Sequence, residues 1–186
     1  MNTYHNAVVA RLALALENNV SASNEKKLRK LALAVSNNEF ASYLEDAKVD
    51  ASELASNAIY EIEKTIKFAS QAIKLNAKDL NANTYAIFRT AINCYKHNVA
   101  LTQAMIEASI SRDIEVADEH KHLVYARNII QTSETVAAQT QTSRRALLAL
   151  NIIVEKADQK QAYTVKLSKL TRALAKQFEL DVSKAA

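Results

Sequence analysis

The sequence predicts a mainly α-helical protein in which an N-terminal helical bundle is followed by two short helices and a β-hairpin. Three observations lead to this fold class. Apolar residues recur at helical spacing through the first two thirds of the chain, glycine and proline are absent, and only residues 152–167 alternate with a period of two. Average composition would place about 13 Gly and about 9 Pro in a chain of this length. Their absence also argues against the glycine-rich phosphate loops of nucleotide-binding enzymes.

Asparagine takes the place of glycine and proline as the residue that ends helices. It tolerates the left-handed conformation after a helix better than other residues that carry a Cβ atom. Asparagine-containing segments such as "ENNVSASNEKK" and "SNNEF" therefore separate the predicted helices. We expect helices over residues 3–17, 24–36, 38–47, 51–75, 83–97, 99–111 and 118–130.

The helix predicted over 51–75 has the clearest pattern. Asp50 or Ser52 can cap its first turn, and Glu53 suits that turn electrostatically. Its apolar residues are spaced alternately by four and three positions, which is typical of helices that pack side by side. This pattern predicts either the spine of the N-terminal bundle or a dimer contact, formed by Ala55, Ile59, Ile62, Ile66, Ala69 and Ile73.

Charge divides the chain into two expected domains, a helical bundle over 1–117 and a basic module over 118–186. Residues 1–119 hold 13 Lys/Arg and 15 Asp/Glu, whereas residues 120–186 hold 11 and five. A basic module suggests a polyanionic partner, although a solvated helical face would give the same charge. No leader peptide or apolar span is recognisable, so we expect a cytoplasmic protein. Cys94 is expected to be buried.

The segment 133–151 has the spacing of a helix-turn-helix. Ser133 can cap a short helix with Val136 and Ala137 facing inward, and a polar break over 140–142 is expected to precede a second helix with Ala146 and Leu147 on its inner side. Two short helices that cross steeply need small or apolar residues at these positions.

A hairpin pattern follows at once, with Ile152 and Val154 on one strand and Tyr163 and Val165 on the other. A helix-turn-helix followed by a hairpin resembles the winged-helix domains of DNA-binding regulators. The resemblance covers roughly residues 120–178 and implies a first helix in "HLVYARNII", Asn151 in the place of a usual glycine and a wing over 155–163. Gln141 stands where the family usually has glycine. The amino-acid sequence of residues 125–154 also resembles segments of phage and mobile-element proteins.

The resemblance implies double-stranded DNA as the partner. Arginine and glutamine can each make two hydrogen bonds to a guanine or an adenine, and lysine suits phosphates. The expected base contacts lie at the start of the second helix and are Gln139, Gln141, Thr142, Ser143, Arg144 and Arg145. The expected phosphate contacts lie on and after the wing and are Lys156, Lys160, Lys166, Lys169 and Arg172.

Enzymatic function is the least supported class. Glu119 and His122 have a spacing found in di-metal bundles, but such sites need a second Glu-x-x-His, which the sequence lacks. We therefore expect no catalytic residue, metal or cofactor. Two hypotheses follow. One is a transcriptional repressor that binds an inverted repeat as a homodimer. The other is a non-enzymatic helical assembly or scaffold protein that exposes large apolar faces.

Overall fold

The computed structural model describes residues 2–74 and 81–184 and confirms a mainly helical fold with a small antiparallel sheet. None of the helices in these two ranges is long and apolar enough to cross a membrane. Short 3-10 turns lie at Ser70–Ile73 and Asp118–Leu123. The α-helices are α1 (Thr3–Glu17), α2 (Ala22–Val35), α3 (Asn38–Asp46), α4 (Ala51–Ser56), α5 (Ile59–Ala69), α6 (Ala82–Lys96), α7 (Gln103–Ile110), α8 (Ser133–Ala149) and α9 (Lys169–Gln177).

Asparagine marks both ends of helices. After α1 and α6, Asn19 and Asn98 adopt the left-handed conformation, with φ of 51° and 55°. This confirms the expected role of asparagine at helix C-termini. Asparagine side chains also begin helices, since Asn2, Asn37 and Asn81 each accept a hydrogen bond from a backbone N–H in the first turn of α1, α3 and α6.

The helix expected over 51–75 is interrupted, and the prediction of one continuous helix is wrong. Asn57 and Ala58 are extended (ψ 165° and 144°), so that α4 ends and α5 begins in a new direction. The segment "ASNA" contains residues that compete with helical hydrogen bonding, and the Ser56 hydroxyl donates to the carbonyl of Glu53 at 2.8 Å. The break lets α4 pack against α1 while α5 packs against α2 and α8.

The expected spine lies mostly inside the molecule. Ile62, Ile66 and Ala69 are buried in the core, and Ile59 and Ile73 pack against it. Ile62, Ile66 and Ala69 are therefore unavailable as a surface for a second copy, whereas Ala55, Ile59 and Ile73 are half-buried. Of the two readings that the spacing left open, the structure agrees with an intramolecular spine.

The predicted hairpin is present as β2 (Ile153–Glu155) and β3 (Ala162–Val165). Ile153 pairs with Val165, and Glu155 pairs with Tyr163. A third strand, β1 (Leu101–Thr102), lies on the other edge of β3, which gives the sheet order β1-β3-β2. The sequence analysis placed 99–111 in one helix, so β1 was not foreseen.

The helix expected over 118–130 does not form beyond the 3-10 turn. From Val124 to Thr132 the chain is irregular. Backbone polar groups of this segment form hydrogen bonds with side chains and backbone of α6 and α7. Asn93 donates to the carbonyl of Leu123 at 2.9 Å, and the backbone N–H of Tyr125 donates to the Thr90 hydroxyl at 2.9 Å. The segment is therefore held against the protein without being helical.

One hydrophobic core contains residues from both sides of the expected boundary at 117. Phe68 and Phe88 meet edge to face with ring centroids 5.6 Å apart, and Phe178, which follows α9, stacks on Phe68 at 6.1 Å. Leu147 and Leu174 are also fully buried in this core. The division after residue 117 therefore does not coincide with a gap in the packing.

Candidate nucleic-acid interface

Helix α8 runs without interruption through the segment in which a helix-turn-helix break was expected. Thr132 caps its first turn, and the helix continues to Ala149. The buried residues Val136, Thr140, Ser143 and Leu147 are spaced by four, three and four positions and form one continuous inner stripe. The polar break predicted over 140–142 is therefore wrong, because Thr140 belongs to the buried face of the helix.

Three of the expected base contacts point into the protein. Gln139 accepts hydrogen bonds from Lys64 Nζ at 3.3 Å and from Asn83 Nδ2 at 3.0 Å, and Thr142 accepts one from Lys64 Nζ at 2.6 Å. Ser143 is fully buried. These side chains are therefore engaged between α8, α5 and α6, and we correct the expectation that Ser143 contacts DNA.

Lys64 is an unusual residue in this contact. Burial between α5 and α8 lowers the pKa of its amine to about 8, while the nearby carboxylate of Glu61 acts in the opposite direction. Its Nζ donates hydrogen bonds to Thr142 and Gln139, which are neutral side chains. Lys64 therefore joins α5 to α8 without the compensation of a directly bonded carboxylate.

The other three expected base contacts remain on the surface. Gln141 is exposed. Arg144 is half-buried, donates to Gln103 Oε1 at 2.8 Å and lies over the ring of Tyr163 at 5.9 Å. The side chain of Arg145 is 57% exposed and forms an ion pair of 3.1 Å with Glu61. Gln141 and Arg145 are thus accessible along the outer edge of α8, whereas Arg144 is accessible only in part because its Nε atom is buried.

Three exposed residues in the first two turns of α8 were not among the expected DNA contacts. Glu134, Ala137 and Ala138 lie at helical spacing on the outer side, and Gln141 continues this side one turn later. Ala137 had been expected to face inward, but it is exposed. Recognising α8 as one helix from residue 133 would have revealed this face, since the positions of Val136 and Thr140 on the inner side determine it.

The hairpin carries two of the expected phosphate contacts on its loop. Lys160 is exposed, and Lys156 is half-buried, with its amine 3.8 Å from Asp158. The backbone N–H of Lys156 donates to the carbonyl of Ala162 at 2.9 Å, which extends the hairpin pairing by one residue. Gln161 has a φ of 54° and makes the turn into β3.

The remaining expected phosphate contacts lie at the start of α9. Lys166 is half-buried, whereas Lys169 and Arg172 are exposed, and the amine of Lys169 lies 3.9 Å from Asp46. Lys176 continues the same side of α9 one turn later and was missed by the sequence analysis, although its spacing from Arg172 would have indicated it.

Helices α6, α7 and α8 pack against one another, and the hairpin follows α8 directly. The segment 100–112, taken from the sequence to be a packing element, supplies β1 and α7. The connection between α7 and α8 extends over 111–132, much longer than the turn of about 3–4 residues in a helix-turn-helix. The two crossing helices are therefore α7 and α8, not the two halves of α8.

The acidic and histidine residues near 118 were considered as metal ligands in the sequence analysis. The ring of His122 lies 5.6 Å from that of His97. Across residues 2–74 and 81–184, no group of three or more His, Cys, Asp or Glu side chains is placed to hold a metal ion.

No protein-family model matches the sequence, and comparison with curated proteins and with solved structures gives no significant match.

Proposed function

We propose that this protein binds double-stranded DNA with the outer edge of α8 and the β2–β3 hairpin. The observation that carries the proposal is the order of the elements: three helices that pack together, the last of them followed directly by a hairpin whose loop carries two lysines. This arrangement resembles winged-helix domains, in which the last helix enters the major groove and the hairpin lies beside it. In this protein, α7 and α8 would correspond to the two helices of the helix-turn-helix.

The chemistry of the exposed edge supports base and phosphate contacts. Gln141 suits adenine, Arg144 and Arg145 suit guanine, and the exposed methyl groups of Ala137 and Ala138 suit thymine. Lys156 and Lys160 on the hairpin loop would neutralise phosphates. Residues 120–186 hold 11 Lys/Arg and five Asp/Glu, and this excess of six positive charges is consistent with a polyanionic partner.

Arg145 is the more accessible of the two arginines. Its side chain is 57% exposed and forms an ion pair with Glu61, whose side chain is 11% exposed. Arg144 is half-buried and donates to the neutral side chain of Gln103, and its buried Nε atom has no hydrogen-bond partner in the described structure. Contact with a base would require each arginine to leave its present partner.

A binding assay tests the proposal. A duplex of about 30 base pairs, recovered by pull-down from genomic fragments, is labelled and titrated by fluorescence anisotropy, beside a shuffled duplex. We expect Arg145→Ala to weaken binding to the recovered duplex by about 1–3 kcal/mol more than to the shuffled one. Arg29→Ala is the matched control, because Arg29 also forms an exposed ion pair but lies on α2. If Arg145→Ala and Arg29→Ala lose the same binding free energy, the proposal that α8 contacts the bases is contradicted.

A repressor that reads an inverted repeat as a dimer needs a surface for a second copy. The core-facing residues of α5 are buried, but α1 exposes Val9 and Leu16 by 39% and 42%. These two residues lie seven positions apart on one side of the helix, with the exposed Ala13 between them. This face also favours the second candidate function, a non-enzymatic assembly protein, because contiguous exposed apolar side chains mark interaction surfaces. We propose α1 as the contact between copies in either case.

Light scattering separates the two candidates. Leu16→Glu is expected to convert a dimer into a monomer, and Tyr60→Glu, at an exposed residue of α5, is the matched control. A wild-type dimer that binds the recovered duplex supports the repressor. A dimer or larger assembly without salt-sensitive DNA binding supports the assembly protein. A monomeric wild type, or a dimer that Leu16→Glu leaves intact, would refute the contact through α1.

A further inference from the structure

A groove of about 750 Å³ runs between α2 and α5, on the opposite side of α5 from α8. Its volume lies in the range of small-molecule sites. Along α2 it extends from Ser23 to Asn37, which at 1.5 Å per residue is about 20 Å. The DNA proposal does not use this groove, and of the expected spine residues Ile66 contributes to its lining.

Three lysines line the groove near the start of α2, namely Lys26, Lys27 and Lys30, and Lys67 lines it from α5. Lys27 and Lys67 both contact the carboxylate of Glu63, at 3.2 Å and 2.9 Å. Although burial acts to raise it, the pKa of Glu63 is lowered by these two lysines, so the carboxylate is ionised at neutral pH. Among the described residues that line the groove, Glu63 is the single acidic one beside four lysines.

Lys26 and Lys30 supply the unbalanced charge. Both are exposed, and within residues 2–74 and 81–184 neither forms an ion pair. They lie four positions apart on α2, and like charges at this spacing repel each other. An anion placed between their amines would relieve that repulsion as well as form its own ion pairs.

The second half of the groove is apolar. Leu31, Ala34 and Ile66 form its floor, and Leu33, which is 74% exposed, stands at its edge. Leu33 is the most exposed large apolar residue among those described. Ser36 and Asn37 close this end. Along the axis of α2, the groove thus passes from positive charge to hydrocarbon and then to a polar end.

We propose that the groove binds an anionic amphiphile of medium chain length, with a carboxylate or phosphate head between Lys26 and Lys30 and an acyl chain across Leu31 and Ala34 under Leu33. A nucleic-acid strand carries charge along its whole length and would leave the apolar half unmatched. An amphipathic helix needs apolar anchors over two or more turns, whereas the apolar residues of α2 in this groove lie within one turn.

Isothermal titration with decanoate, below its micellar concentration, tests the proposal on the full chain. We expect saturable binding with one ligand per chain. Lys26→Glu/Lys30→Glu should weaken it at least about tenfold by reversing the charge at the head, and Leu33→Ser should weaken it through the tail. Lys156→Glu/Lys160→Glu on the hairpin is the matched control for the same change in net charge and should bind as the wild type does.

Two further titrants identify what the groove recognises. Decyltrimethylammonium has the same tail and the opposite charge, so we expect it not to bind. An acidic, amphipathic helical peptide is expected to bind more weakly than decanoate. The proposal is overturned if decanoate fails to bind, if the α2 and hairpin variants behave alike, if the cationic amphiphile binds equally well, or if the peptide binds in preference. Circular dichroism of each variant verifies that the fold is retained.

Discussion

Lys64 should make the stability of the protein depend on pH in a direction opposite to that of most buried groups. Its amine lies between α5 and α8, where burial lowers the pKa from 10.5 to about 8. Between about pH 8 and about pH 10.5 the folded protein has released this proton while the unfolded chain retains it. Raising the pH through this window therefore favours folding. Below about pH 8, Lys64 is protonated in both the folded and the unfolded protein, so the folded protein bears the full free-energy cost of burying the charge.

The size of the effect follows from the difference in pKa. At about 1.36 kcal/mol for each pKa unit, the upper limit is about 3 kcal/mol. The side chain is only half-buried, so solvent screening reduces this figure, and we expect about 1–2 kcal/mol. Tyr4 and Cys94 change the stability in the opposite direction as the pH rises, because burial raises the pKa of each to about 12. The contribution of Lys64 must therefore be isolated by a variant.

Lys64→Met removes the charge and keeps most of the side-chain volume. Urea unfolding followed by circular dichroism at several values between about pH 7 and about pH 10 gives the free energy of unfolding of both proteins. We expect the wild type to gain about 1–2 kcal/mol relative to Lys64→Met over this range. Lys26→Met, at an exposed lysine of α2, controls for the loss of one positive charge. A difference between wild type and Lys64→Met that stays constant with pH would refute the reasoning.

Three further predictions concern the core. Thr140→Val should raise the free energy of unfolding by about 1 kcal/mol in urea titrations, because it removes a buried hydroxyl that has no hydrogen-bond partner in the described structure; a loss of stability would mean that the hydroxyl is bonded. Cys94 is 1% exposed, and burial raises its pKa, so its thiol should react with a disulfide reagent only in denaturant; rapid reaction of the folded protein would show local opening. Deleting 120–186 removes Leu147 and Leu174 from the shared core, so circular dichroism should show the remnant unfolded, and a cooperative helical remnant would restore the two-domain division.

The helical class, the hairpin and most helix boundaries could be predicted because local signals determine them. Asn19 and Asn98 end helices as expected, and the alternation around Ile153 and Val165 corresponds to paired strands. Local sequence does not determine pairing between distant segments. Strand β1 exists because Leu101 pairs with Tyr163, far along the chain, and no pattern within two residues could indicate it.

The course of α8 could not be predicted from polarity alone. Thr140 and Ser143 are polar, but both lie on the buried stripe of the helix, where their small size allows close packing. The expected base contacts were placed by assuming a turn at these residues, and the structure instead directs Gln139 and Thr142 toward Lys64. Which face of a polar helix is buried depends on the elements that pack against it, and α5 is too distant in sequence to reveal this.

The left-handed turn after α8 shows what a chain without glycine gains at such positions. Asn151 has a φ of 50°, and its side-chain amide donates to the carbonyl of Lys48 at 2.7 Å. Lys48 is itself left-handed, with a φ of 58°, in the turn after α3. Glycine at 151 would adopt the same backbone conformation more easily, but it has no side chain with which to reach Lys48. The hydrogen bond from Asn151 therefore links the turn after α8 to the turn after α3, a connection that glycine at 151 could not make.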